Sequence, residues 1–145
     1  MAVVRQAIDA FASGDVVTAL NLLAPDIEWH GTVGGMDEGH VAHGRDEVAK
    51  GFIEYFENWE RIELRAEKYI DARRGDAVVV FHHEVAKGRE SGVVVETDTA
   101  TINTVRRGKI VRVRPYMERA EALRVAGLPP DAAHSAARRA SSGSK

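Results

Sequence analysis

The run Val93-Val94-Val95-Glu96-Thr97-Asp98-Thr99-Ala100-Thr101-Ile102-Asn103-Thr104-Val105-Arg106-Arg107-Gly108-Lys109-Ile110-Val111-Arg112-Val113-Arg114-Pro115-Tyr116 decides the fold class. Valine and threonine dominate both halves, and branched side chains fit a pleated, half-buried surface. Arg107-Gly108 stands between them where a two-residue hairpin turn belongs. The run therefore predicts two antiparallel strands, 93–106 and 109–116. Upstream, residues 77–87 form another β-branched run, and Arg73-Arg74-Gly75-Asp76 supplies the turn before it. Ile62-Glu63-Leu64-Arg65-Ala66 alternates and can extend to Ile70. Four consecutive strands with short connections make a meander.

The first third of the chain has a different period. Val4, Ala7, Ile8 and Phe11 recur at helical spacing, and Ser13-Gly14 stops that helix. Asp15 has the chemistry of an N-cap, because its carboxylate can accept free N–H groups of the next turn. Val16, Ala19, Leu20 and Leu23 give the stripe of a second helix, which Pro25 is expected to end. Ile27-Glu28-Trp29 alternates as a strand. Residues 31–44 hold five glycines without periodicity and are expected to be a loop. Residues 45–59 carry the strongest helical pattern, with Val48, Phe52, Tyr55, Phe56 and Trp59 on one face. Glu118 to Ala126 closes as a short helix with Gly127 as its C-cap. The order is α-α-β-α-β-β-β-β-α, an α+β fold with helices segregated from a curved antiparallel sheet. A long helix on such a sheet leaves a cone lined by side chains, the usual form of a small-molecule pocket.

The chain has 145 residues, enough for one domain, and 44% of them are hydrophobic, enough for a core. Folded sequence is expected over 1–128. After Pro129-Pro130 the Ala/Ser/Arg-rich segment 129–145 is expected to be disordered, although Asp131 to Ala140 could be helical. A net charge of −2 with mixed signs does not suit a nucleic-acid partner. There is no cysteine, hence no disulfide and no thiolate metal site. No apolar run approaches the ~20 residues of a membrane span. No secretory signal precedes the first helix, so a cytoplasmic setting is expected.

Candidate chemistry gathers on residues 77–87. His82 and Glu84 share one strand face, ~7 Å apart along it, and could serve as acid and base or hold a water. Periodicity alone prefers the more apolar set Val79, Phe81, His83 and Val85 as the buried face, which would turn His82 and Glu84 outward. Thr97, Thr99, Thr101 and Asn103 share a face that could hydrogen-bond a ligand, although threonine is also simply a good strand residue. Phe11, Trp29, Tyr55, Phe56 and Trp59 are core candidates; Trp29 and Tyr55 have polar tips that suit a pocket wall. His30, His40 and His43 lie near the glycine-rich loop, which does not hold a metal rigidly, so no metal is expected.

The segments Asp9-Ala10-Phe11-Ala12-Ser13-Gly14-Asp15, Leu22-Leu23-Ala24-Pro25-Asp26-Ile27-Glu28-Trp29, His43-Gly44-Arg45-Asp46-Glu47-Val48, Ile70-Asp71-Ala72, Ser91-Gly92-Val93, Arg107-Gly108-Lys109-Ile110 and Tyr116-Met117-Glu118-Arg119-Ala120-Glu121-Ala122-Leu123 stand out together. They resemble SnoaL-like (polyketide cyclase-like) proteins of the nuclear-transport-factor-2-like superfamily, whose fold is also described as a cystatin-like roll. They run in the family's order over roughly residues 4–128. The resemblance implies a cone-shaped fold around a pocket. It also implies a cofactor-independent isomerase, cyclase, dehydratase or hydrolase acting on a largely apolar molecule. The alternative is a non-catalytic binding or accessory protein, or a module that dimerises through the open sheet face, which is expected to be rich in Val and Thr. A homodimer is expected in any case. In register with limonene-epoxide-hydrolase-like proteins, His82 and Glu84 fall on a pocket Arg and Asp, and Trp29 on a pocket Tyr. Their second Asp falls on Pro115 and their water-holding Asn on Gly31. The steroid isomerases' base falls near Gly31 and their helix-one Tyr near Ala7. Both of those specific mechanisms therefore lack groups here. The resemblance implies Glu84 and His82 as catalytic residues, with Trp29, Tyr55, Thr99 and Phe11 as ligand contacts.

Overall fold

The computed structural model describes residues 1–72 and 76–133. Its elements are α1 (Ala2–Ala12), α2 (Val16–Asn21), β1 (Leu23–His30), β2 (Val41–His43), α3 (Gly44–Glu57), β3 (Trp59–Asp71), β4 (Ala77–Gly88), β5 (Val94–Arg106), β6 (Lys109–Tyr116) and α4 (Arg119–Val125). Among the described residues, the strands form one sheet in the order β2-β1-β6-β5-β4-β3. The mixed α+β architecture read from the sequence is the one observed. At the hairpin between β5 and β6, Arg107 and Gly108 both have positive φ, 53° and 74°. That is the primed turn whose twist matches the flanking strands. Asp15 caps α2, its Oδ1 accepting the Thr18 amide at 3.2 Å.

Four readings need correction. The sheet is antiparallel except between β1 and β6, which run parallel. These two are joined by a long crossover through α3 and β3–β5, so nothing forces them to oppose. Residues 41–43, expected in a loop, form β2 and pair with Glu28–His30 of β1. Three residues are too few to show a period. Pro25 does not end α2, because the chain has already left the helix at Leu22. Pro25 lies within β1 beside the register irregularity between Leu23 and Glu28, where a missing N–H is tolerated. Trp59 starts β3 and does not belong to α3.

Both faces of the sheet centre are covered. On the inner face, Val78 and Val80 of β4 pack with Val4 of α1 and Val48 and Phe52 of α3. On the outer face, Val79 and Phe81 pack with Ala100, Tyr116 and α4 residues Ala122 and Leu123. Ala132 and Ala133 also rest against this second cluster. The rest of the proposed tail from residue 134, and with it most of the possible helix Asp131 to Ala140, lies outside the described residues. The turn at residues 73–75 does too. The outer face away from α4 is ionic and not a Val/Thr surface. Register places Arg61 with Lys87, Glu63 with Glu96 across Val85, and Arg65 with His83 and Asp98. Thr97, Thr99 and Thr101 point the other way, and the exposed valines of the β4–β6 region are Val93, Val94 and Val95 at the strand end. Among the described residues, no helix is long and apolar enough to cross a membrane.

Tyr116 is 1% exposed, and its hydroxyl has no hydrogen-bond partner among the described residues. A buried unpaired hydroxyl is unfavourable, so Tyr116→Phe should raise the unfolding free energy by about 1 kcal/mol. Urea denaturation checks this; a loss of stability would mean that the hydroxyl has a partner.

Candidate functional site

Between α1, α3 and the inner sheet face lies a cavity of about 690 Å³. Its apolar wall is built from the helical stripes read in the sequence. Phe52 stands edge-on to both Phe11 and Trp29, with ring centroids 4.9 and 5.1 Å apart. Tyr55 lies one turn along α3 and also lines the space. Of the aromatic set, Phe11 and Trp29 both pack against the core and line the cavity, Phe56 packs against the core, Tyr55 lines the cavity, and Trp59 does neither.

The polar wall comes from β4 and β5. The register pairs His82 with Thr99 and Glu84 with Thr97, and all four side chains line the cavity. His82 is 5% exposed. Its Nε2 is 3.0 Å from Thr101 Oγ1, and Thr101 Oγ1 accepts a hydrogen bond from Asn103 Nδ2 at 2.9 Å. The other ring nitrogen, Nδ1, is buried without a partner among the described residues. If the threonine hydroxyl donates to Nε2, Nδ1 carries a free N–H; if Nε2 donates to the hydroxyl, Nδ1 is a free acceptor. Burial, with the nearby Arg119 charge second, pushes the His82 pKa down from 6.5 to about 4. The ring is therefore neutral at pH 7. Burial pushes the Glu84 carboxyl the opposite way, above its ordinary value. Among the described residues it has neither an ion-pair nor a hydrogen-bond partner, as a group awaiting an external one would.

Arg119, at the start of α4, braces this wall from behind. Its guanidinium donates to the carbonyls of Thr99 at 3.2 Å and His82 at 2.8 Å, and pairs with Glu67 at 2.6 Å. It also lies 4.8 Å from the Phe81 ring centroid. No periodicity marks it as part of the site. His83, by contrast, faces outward; its hydrogen bonds to Asp98 at 2.6 Å and Glu96 raise its pKa.

The two readings of β4 are thereby reconciled. Val79 and Phe81 are buried, as periodicity prefers, but beneath α4. His82 and Glu84 are on the other face, which is also enclosed. Periodicity assumes one wet face, and β4 has none at its centre.

The cavity mouth is formed by the loop after β1. Gly31 donates to the His40 carbonyl at 2.7 Å, and Asp37 Oδ1 accepts the Thr32 amide at 3.1 Å. A Cβ at Gly31 would overlap the Asp37 carbonyl oxygen. Asp37, His40 and Pro115 line the cavity as well. His30 bonds Glu28 at 3.2 Å.

The family model of the SnoaL-like domain matches residues 4–113. The chain belongs to the SnoaL-like family. No curated protein matches it. Solved structures of similar shape have the nuclear-transport-factor-2-like or cystatin-like fold. A nuclear-transport-factor-2-like protein of unknown function from Burkholderia pseudomallei is 25% identical, with 86% of this chain and 94% of that one covered and a TM-score of 0.69. TerC, co-crystallised with polyporic acid, is 20% identical over 86% of this chain and 95% of its own, with a TM-score of 0.69. A protein with a ketosteroid isomerase-like fold from Catenulispora acidiphila, in complex with trimethylamine, is 19% identical over 89% and 95%, with a TM-score of 0.68. In the SnoaL-like chain, all six sequence candidates (Glu84, His82, Trp29, Tyr55, Thr99 and Phe11) line one cavity. Missing from that set were Thr101 and Asn103, which orient His82, and Asp37 and Arg119. Asp37 gave no signal, because it reaches the mouth only through the loop's turn geometry.

Proposed function

We propose that this SnoaL-like protein binds a largely apolar small molecule in the cavity and transforms it without a cofactor, as an isomerase, cyclase, dehydratase or hydrolase. The observation that carries this reading is the unpaired, half-buried Glu84 carboxylate on the same wall as a neutral, buried His82. A carboxylate whose pKa is raised is a better base toward a weak acid, and a neutral imidazole can pass or hold a proton. Thr101 fixes the His82 ring, and the aromatic wall supplies apolar surface beside it. The polyporic acid and trimethylamine held by the two neighbours support a ligand-holding use of the fold. Candidate substrates incubated with the protein and followed by mass spectrometry test the proposal. Glu84→Gln should lower turnover by about a hundredfold or more while leaving the fold intact. Unchanged turnover would remove Glu84 from the mechanism.

A second reading, a non-catalytic ligand carrier, is favoured by Gly31 and Pro115, which leave two walls of the cavity without a reacting group. It requires ligand-dependent thermal stabilisation with no product. We also propose a homodimer through the outer sheet face, where rows of alternating charge can oppose each other across a two-fold axis; sedimentation as a monomer at micromolar concentration would contradict it.

A further inference from the structure

Resting on the reading of this cavity as the ligand site, we propose that its ligand is a protonated amine carried on an apolar, ring-containing body, with the ammonium group against Glu84. The carboxylates of Glu84, Asp37, Glu47 and Glu54 line the cavity, against a single lysine, Lys50, among the described residues. Glu47 is engaged at the rim by the His43 amide at 3.0 Å, and Asp37 by Thr32 at 3.1 Å. Glu84 is less exposed and has no such partner among the described residues.

Even partial burial of a carboxylate is unfavourable unless a cation or donor meets it. The cation that braces this wall is turned elsewhere. Arg119 lies behind the wall and pairs with Glu67 at 2.6 Å and Asp98 at 3.6 Å. His82 does not supply charge, since it is neutral and held by Thr101. With its Nε2–H donated to Thr101, its buried Nδ1 is left as an unpartnered acceptor on the same wall, among the described residues. The facing wall suits the same group. Trp29, Phe52 and Phe11 present aromatic surface, which attracts cations and accepts a flat apolar body. An anionic ligand would meet Glu84 with only Lys50 as a lining cation against four carboxylates among the described residues, so the same geometry selects against carboxylates.

Three probes of one shape separate charge from fit: tryptamine, tryptophol and indole-3-acetate, which are cationic, neutral and anionic at pH 7. Dissociation constants are measured by calorimetry for the native protein and for Glu84→Gln. Tryptamine should bind about tenfold more tightly than tryptophol, with indole-3-acetate weakest. In Glu84→Gln the tryptamine and tryptophol constants should come within about twofold of each other. Equal binding of tryptophol and tryptamine to the native protein overturns the amine inference and leaves the cavity reading standing. A preference for indole-3-acetate, or no binding of tryptamine, overturns it as well. A preference for tryptamine that survives in Glu84→Gln overturns the role given to that carboxylate. The native ratio decides the sign even if the variant does not fold.

Discussion

Gly31→Ala is expected to lower the unfolding free energy by about 3 kcal/mol, at the upper end of what overpacking a filled site costs. The added Cβ would overlap the Asp37 carbonyl oxygen, and the Asp37 carbonyl carbon lies 2.6 Å from it. These are backbone atoms, so a rotamer change cannot relieve the clash. The loop is also pinned on both sides of the contact. Gly31 N–H is bonded to His40, His40 N–H to the Asp37 carbonyl at 3.0 Å, and Thr32 N–H to the Asp37 carboxylate. Relief requires breaking this set, which would also shift Asp37 and His40 at the cavity mouth. Urea unfolding checks the expectation: the midpoint should fall with an unchanged slope. A loss below about 0.5 kcal/mol, the range of an ordinary surface substitution, would mean that the loop does not sit against β1 as described. Position 31 therefore has no room for a side chain.

The second large effect is pH dependence from His82. Its folded pKa of about 4 is below the ordinary 6.5. Above pH 6.5 the ring is neutral in both states and contributes no slope. Below it, the unfolded chain takes up a proton that the native ring refuses, so stability falls with pH until about 4. At one unit per 1.36 kcal/mol, the loss reaches about 2 kcal/mol by pH 5 and about 3 kcal/mol in full. His83 acts in the opposite direction, because Asp98 and Glu96 raise its pKa and favour the folded state in acid. The check is therefore a difference. The fall in stability between pH 7 and pH 5 should be smaller by about 2 kcal/mol in His82→Asn than in the native protein. Equal falls would place His82 in a wetter setting than the cavity wall.

The fold was legible because its elements are long and their periods clean. Residues 94–116 alternate around a turn that only positive φ allows, and α3 carries its stripe through Val48 and Phe52. What escaped was short or irregular: β2, and the bulge that admits Pro25 to a strand. The site was half legible. Alternation put His82 with Glu84 and Thr97 with Thr99, but it could not say which face was enclosed. The answer depended on α4 covering Val79 and Phe81, a tertiary fact. Thr101 was legible as a member of its row, but its bond to His82 was not. Arg119 and Asp37 reach the site by packing and loop closure, for which no local signal exists.

The central claim, that the space between Trp29, Tyr55, His82 and Glu84 is the ligand site, is tested most directly by an amide-resolved NMR titration of the isotope-labelled protein with tryptamine and tryptophol. The shifts should concentrate at Trp29, Tyr55, His82, Glu84 and Thr99, with those from tryptamine larger at Glu84. Shifts confined to the outer rows of Arg61, Glu63, Arg65 and Glu96, or no shift with either probe at millimolar concentration, would contradict it.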